Sequence, residues 1–384
     1  MHSPPTLHPP VLRSSAHKNL LKDRLSSISA RMLSARLPQA TVTEAFFDIP
    51  LTTVSLQSNF DAYINIRYRG APSDSSVQLL VDTGNFSLIV PEYAAIAALP
   101  NFRKDYTVVA HHVTEPWGCP AHIVRGPIDI PTINGAIYEI PNCVFYACTG
   151  PNKAGEHTAN FGAGRISPWI PSAGVMIQAP LAYNPAYHYA QFNYAPARKI
   201  FAAGSEPLIA EGSSLTLFKT MPQGYKMFDI VKNRMWMSLI PRSLSIGGIA
   251  TAWPGTLTSP IAMVDTGGGP VFLSDPNGYV YKSNWPDQVP SPEWTSPGSV
   301  SCQSTRHDLT ISLGDESNLF TYHIDTTNFP SSVQGLTLVM CELCYYMMGN
   351  QGMNIGGLSA LFNYILIDYA SAKIGFKPKV LELV

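Results

Sequence analysis

The sequence predicts a mainly β chain built as two pseudo-twofold-related β lobes. Three observations carry this. Apolar residues make up 45% of the 384 residues and charged residues only 13%, so a large core is available. Pro (33) and Gly (28) are both frequent, which favours short strands and many turns over long helices. The tripeptide Asp-Thr-Gly occurs twice, at 82–84 and 265–267, each time closing an apolar run: Leu79-Leu80-Val81 and Ile261-Ala262-Met263-Val264. The two copies stand 183 residues apart (265 − 82), about one domain length.

Residues 1–45 form a basic N-terminal arm. It carries Arg13, Lys18, Lys22, Arg24, Arg31 and Arg36 against Asp23 and Glu44, and Leu21, Leu25, Ile28 and Met32 fall at helical spacing. Three readings stand: a mobile basic arm, an organelle-targeting peptide that is Arg- and Ser-rich and acid-poor, or a pro-segment whose basic side chains sit on a pair of carboxylates.

The first lobe is expected over 46–220. Tyr63 to Tyr68 alternates as a half-buried strand, and Val77 to Asp82 reads as a largely buried one. Strands follow at Phe86 to Val90, Ile137 to Tyr146 and Leu215 to Phe218, with a helix at Glu92 to Leu99 just after Pro91. The second lobe is expected over 221–384, with strands at Met235 to Ile240, Leu309 to Leu313 and Tyr364 to Ile367. The halves echo each other a second time. Asn160-Phe161-Gly162 ends 80 residues after Asp82 (162 − 82), and Asn354-Ile355-Gly356 ends 91 residues after Asp265 (356 − 265). Two matched signals in the same order argue for an internal duplication.

Composition also excludes. A net charge of −1 with no basic patch gives no footprint for nucleic acid. No run of 18 apolar residues predicts a membrane span, and no compact apolar stretch near the N-terminus marks a signal peptide. The sequon Asn85-Phe86-Ser87 abuts the first Asp-Thr-Gly, where a glycan would block the site. Six cysteines (Cys119, Cys143, Cys148, Cys302, Cys341 and Cys344) allow up to three disulfides. Cys341-x-x-Cys344 lacks a second such pair, and His111, His112, Cys119 and His122 lack finger spacing, so no metal or other cofactor is expected.

Each residue of Asp-Thr-Gly has a chemical use. Glycine lets the chain turn tightly and lets an opposite loop approach closely, and its N–H can donate to the carboxylate. Threonine can donate its hydroxyl to the opposite loop's backbone. Two carboxylates about 4 Å apart repel by ~4 kcal/mol at an effective dielectric near 20, equivalent to about three pKa units. One proton is therefore shared. The charged member, Asp82 or Asp265, can take a proton from water while the neutral one protonates a carbonyl. Neither metal nor covalent intermediate is needed.

From about Phe46 to Pro378 the chain resembles the pepsin-like aspartic peptidases. Val81-Asp82-Thr83-Gly84 through Leu88-Ile89-Val90-Pro91 looks like that family's first catalytic loop. Trp236-Met237-Ser238-Leu239 through Ser245-Ile246-Gly247-Gly248 looks like the strands before the second. Asn354-Ile355-Gly356-Gly357, Tyr364 to Tyr369 and Lys373-Ile374-Gly375-Phe376 look like its C-terminal signature, and Gly162-Ala163-Gly164-Arg165 is similar to the plant-type, nepenthesin-like branch. The resemblance implies the bilobal pepsin-like acid protease fold, two pseudo-twofold-related β-barrel lobes with the active site between them. It makes Asp82 and Asp265 the catalytic pair, with Thr83, Gly84, Asn85, Thr266, Gly267 and Gly268 supporting them. It puts Trp117, Gly118 and Cys119 in the substrate-covering flap, whose stretch runs through Ile128, and it pairs Cys302 with Cys341 in a disulfide, Cys344 being the competing partner. Lys18 and Lys22 are candidates for a pro-segment plug. The expected activity is endopeptidase cleavage of a polypeptide substrate at acidic pH by a monomer, secreted or in an acidic vacuole. The alternative is a non-catalytic or weakly active binder or inhibitor on the same fold. The chain departs from the family at several places. Arg69-Gly70-Ala71-Pro72 replaces Gly-Thr-Pro, Trp117 replaces the flap tyrosine, and Ile89 replaces a tryptophan. Asn85 and Gly268 stand where a Ser or Thr hydroxyl bonds the outer carboxylate oxygen. An Asn85 amide can still donate, but Gly268 cannot, and a lost bond to a charged acceptor costs about 1.5–3 kcal/mol.

Overall fold

The computed structural model describes residues 46–53, 62–153, 155, 158–164, 177–195, 212–231, 237–251, 261–268, 271–274, 302–305, 309–314, 318–324, 338–341, 352–357 and 359–379. The arm of residues 1–45, with Lys18 and Lys22, lies outside the described residues, as do Arg165, Trp236 and Cys344. Strands make up 54% of the structure and helix 11%, so the chain is mainly β.

The alternation in Ala62–Tyr68 works as period two requires: Ala62, Ile64, Ile66 and Tyr68 are buried while Tyr63, Asn65 and Arg67 are half-buried. This strand pairs antiparallel with Val77–Asp82, which pairs parallel with Asn160–Gly162. The sheet continues through Leu88–Val90, Ile137–Cys148 and Pro120–Pro131, and Pro120–Pro131 returns to Ala62–Tyr68 at Arg67↔Asp129 and Tyr68↔Ile128. The result is a closed six-stranded barrel. Its interior is filled by fully buried Ile64, Ile66, Leu79, Val81, Leu88, Val124, Ile128, Phe145 and Phe161. Closure leaves no sheet edge inside the ring and fixes register, because a one-residue slip would turn these side chains outward. Thr107–Thr114 adds to the outside of Pro120–Pro131.

A second six-stranded sheet runs Ser238–Leu239, Ile261–Asp265, Gly352–Gly356, Val271–Ser274, Leu338–Cys341 and Cys302–Thr305. It repeats the pairing scheme of the barrel. The strand ending in Asp265 lies parallel to Gly352–Gly356, as the strand ending in Asp82 lies parallel to Asn160–Gly162. The next strand in each case, Val271–Ser274 or Leu88–Val90, pairs antiparallel with that same partner. A four-stranded sheet of Ile249–Thr251, Pro241–Ile246, Leu309–Leu313 and Phe320–Ile324 completes the later part.

The remaining sheet mixes early and late chain. Tyr189–Asn193 pairs with Ser214–Phe218 on one side and with Asn363–Asp368 on the other. Phe192 and Tyr194 are fully buried there and Tyr187 packs on Phe47 and Tyr138. The aromatic stretch 183–194 reads from sequence as a surface loop or cleft rim; the structure buries Tyr187, Ala190, Phe192 and Tyr194, leaves Tyr183 and Tyr189 half-buried and exposes Pro185 and Ala186. The helix expected at 92–99 is a short one, Tyr93–Ala97, pinned by buried Ile96. Among the described residues no helix is long and apolar enough to cross a membrane.

Candidate active site

The two apolar runs deliver their aspartates in equivalent positions. Asp82 closes the Val77–Asp82 strand opposite Gly162, and Asp265 closes the Ile261–Asp265 strand opposite Gly356. Both carboxylates are nearly out of solvent, at 8% and 4% exposure. Asp82, Thr83 and Gly84 meet Asp265, Thr266 and Gly267 in one hydrogen-bonded knot at the ends of these strands.

The threonines lock the loops together. Thr83 Oγ1 donates to the Val264 carbonyl at 2.9 Å, and Thr266 Oγ1 donates to the Val81 carbonyl at 2.9 Å. In return the Thr83 N–H donates to Thr266 Oγ1 at 3.1 Å and the Thr266 N–H donates to Thr83 Oγ1 at 2.9 Å. Each hydroxyl thus donates to and accepts from the opposite loop, and both side chains are fully buried. Each hydroxyl has its one proton donated and a lone pair occupied, so neither is left wanting a partner.

The glycines set the approach. Gly84 N–H donates to Asp82 Oδ1 at 2.7 Å and Gly267 N–H donates to Asp265 Oδ1 at 3.0 Å. A Cβ on Gly84 would fall 2.5 Å from Asp265 Oδ1, and one on Gly267 would fall 2.6 Å from Asp82 Cγ. Any side chain at either position would wedge the carboxylates apart.

The Oδ2 atoms have partners that local sequence did not point to. Asn160 Nδ2 donates to Asp82 Oδ2 at 2.8 Å, and Asn354 Nδ2 donates to Asp265 Oδ2 at 2.6 Å. Both asparagines are buried. They are the Asn of the two Asn-x-Gly signals, whose equal offset from glycine was visible. A polar side chain inside a buried strand must find a partner, and that requirement singles out both asparagines. Asn85 bonds elsewhere. Its Oδ1 accepts from the Ser87 N–H at 3.0 Å and its backbone carbonyl accepts from the Gly164 N–H at 2.7 Å. Asn85 is 1% exposed with its Nδ2 buried, so the sequon is closed to a glycan. Gly268 ends the short 3-10 turn Thr266–Gly268.

Burial first, then the charge of Asp265 and a hydrogen bond with it, holds Asp82 well above the usual carboxylate range; Asn160 and the Gly84 N–H pull the other way. Two adjoining acids in such a place hold one proton between them.

Trp117, Gly118 and Cys119 lie in the turn between Thr107–Thr114 and Pro120–Pro131, so the hairpin around the flap-like stretch spans 107–131. Buried Glu115 builds this turn. Its carboxylate accepts from the Trp117 N–H at 2.7 Å, the Cys119 N–H at 2.8 Å and Thr158 Oγ1 at 3.1 Å. Cys119 Sγ lies 3.2 Å from Thr158 Oγ1. The turn is thereby tied to Thr158, two residues before Asn160, while Trp117 itself is 43% exposed.

His111, His112 and His122 cluster on this hairpin, with His111 and His122 ring centroids 4.9 Å apart. Burial and the two neighbouring imidazoles lower the His122 pKa. Among the described residues no group of three His, Cys, Asp or Glu side chains is placed to hold a metal ion. Burial pushes the reduced Cys143 and Cys148 thiols up, which makes them unreactive. Cys302 and Cys341 face each other in register on antiparallel strands; their side chains lie outside the described residues.

No protein-family model matches the chain, and no curated protein matches it.

Proposed function

We propose that this chain is an aspartic-type endopeptidase with the bilobal pepsin-like arrangement, the Asp82 and Asp265 loops each coming from one lobe. The observation that carries the reading is the equivalence of the two acids. Each has an N–H from its own glycine on Oδ1, a side-chain amide on Oδ2, and a threonine bonded to the other strand. A pair of buried structural carboxylates has no need of such symmetry, and each costs desolvation energy.

In this reading the pair holds one shared proton. The charged member takes a proton from a water held between the acids as that water attacks the scissile carbonyl, and the neutral member gives its proton to the carbonyl oxygen. The proton taken from water then passes to the amide nitrogen as the C–N bond breaks, which releases the amine and the carboxylic acid. The substrate is an extended polypeptide, with the Trp117 hairpin as its cover.

The test uses the purified full chain at acidic pH with a denatured protein substrate. Cleavage, its block by a pepstatin-type inhibitor, and its loss in Asp82→Ala and in Asp265→Ala are expected. Cleavage that survives both substitutions overturns the reading. N-terminal sequencing after acid incubation shows whether residues 1–45 are a pro-segment.

A further inference from the structure

Two amides stand where the acid pair needs donors, and they are the same residue type at the same place in both halves. Asn160 lies opposite Leu80 in the parallel ladder, and Asn354 lies opposite Met263. Each is therefore two residues upstream of the glycine that faces the aspartate. Each sends Nδ2 to the Oδ2 of that aspartate, at 2.8 and 2.6 Å. Each leaves its own Oδ1 buried without a hydrogen-bond partner among the described residues. An unpaired buried carbonyl is costly, and the cost is carried twice. A leucine of nearly equal size would fill either position without it.

The two oxygens of each acid have different partners. Gly84 N–H holds Asp82 Oδ1 and Gly267 N–H holds Asp265 Oδ1, and each glycine also abuts the other acid's carboxyl group. Each Oδ1 therefore lies on the glycine side, where the two loops meet, and each Oδ2 lies on its asparagine. An amide NH2 donates and cannot accept. A protonated Oδ2 would be a poor acceptor for it.

We infer that Asn160 and Asn354 are positioning residues of the acid pair: they hold both Oδ2 atoms as acceptors and so confine the shared proton to the Oδ1 atoms. The catalytic consequence rests on the endopeptidase reading, in which the shared proton is the one given to the carbonyl oxygen. The inference about proton placement does not depend on turnover. The hydrogen-bond donors on the two carboxylates among the described residues are the Gly84 and Gly267 N–H groups and the Asn160 and Asn354 amides, none of which titrates.

The experiment is a pH titration of the full-length protein carrying 13C-carboxyl aspartate, read by NMR, beside the pH profile of peptide cleavage. Wild type is compared with Asn160→Leu and Asn354→Leu. Removing a donor from a charged carboxylate raises its pKa. Each variant is expected to move the pair's titrations, and both limbs of the activity profile, up by roughly one to two pH units. A purely structural role predicts lower activity at every pH with the limbs unmoved, and unmoved carboxyl titrations in a folded variant overturn the inference. Should a leucine variant fail to fold, Asn160→Ala and Asn354→Ala carry the same requirement. A shifted titration in a protein that cleaves nothing supports this inference and sinks the endopeptidase reading. Cleavage with unshifted titrations does the reverse.

Discussion

Gly84 lies directly against the carboxylate of Asp265: a Cβ at residue 84 would stand 2.5 Å from Oδ1 and 2.6 Å from Cγ. That contact joins two residues 181 positions apart (265 − 84) and sets how near the two acids come. Gly84→Ala is expected to push the loops apart and to lower stability by about 1–3 kcal/mol, the usual cost of overpacking. Urea unfolding at fixed pH measures it. Gly267→Ala, which meets Asp82 Cγ at 2.6 Å, is expected to match it within error. A clear inequality between the two would argue against the equivalence of the loops.

The threonine knot predicts strong coupling. Thr83→Val keeps the shape but strips the donor from the Val264 carbonyl and the acceptor from the Thr266 N–H. Each orphaned buried group costs about 1–3 kcal/mol. Thr266→Val orphans the matching groups on the other side. Each threonine's removal also loosens the turn that holds the other. The double variant is therefore expected to cost well under the sum of the singles, and a double-mutant cycle from unfolding data measures the difference. Simple additivity would show that the loops do not hold each other.

Asp82 links stability to pH. Its folded-state pKa is raised, chiefly by burial and then by Asp265, so the folded protein keeps a proton that the unfolded chain gives up. That stabilisation is complete below the unfolded carboxylate value of about 3.9 and is lost as pH rises through the folded value. Wild type is expected to lose stability as pH rises above that point. Asp82→Asn is expected to flatten this part of the curve. Denaturant midpoints measured across the range test it; an unchanged slope in Asp82→Asn would remove Asp82 as the cause.

Glu115 governs the hairpin tip. Glu115→Ala strips the acceptor from the Trp117 and Cys119 amides and from Thr158. Hydrogen exchange at those two amides is expected to accelerate by about tenfold or more, while amides in the barrel strand Val77–Asp82 keep their protection. Uniform acceleration through the barrel would mean that Glu115 serves the fold as a whole and not the turn.

Much of this was legible in the chain. Val77 to Asp82 could be read as a strand because its apolar run stops at an acid, a hydroxyl and a glycine, and the strand occupies those residues. Leu309–Leu313 follows from alternation in the same way. Phe192 and Tyr194 look like surface aromatics until Tyr189–Asn193 is placed between two other strands, which buries them while Tyr189 stays half-buried. Burial there is a property of the sheet order, and a local stretch of sequence does not contain sheet order.

The acid pair shows the same division. Two Asp-Thr-Gly turns at strand ends, each with a glycine amide on its own acid, are local chemistry, and the sequence alone determined them. Which side chain reaches each Oδ2 was decided only in three dimensions. Asn85, three residues from Asp82, turns its amide oxygen to the Ser87 N–H, while Asn160, 78 residues away, donates to Asp82. The reason is physical. A turn residue next to the acid is bound first to its own backbone, whereas a strand paired in parallel register can hold a buried amide at a fixed distance from the carboxylate it serves.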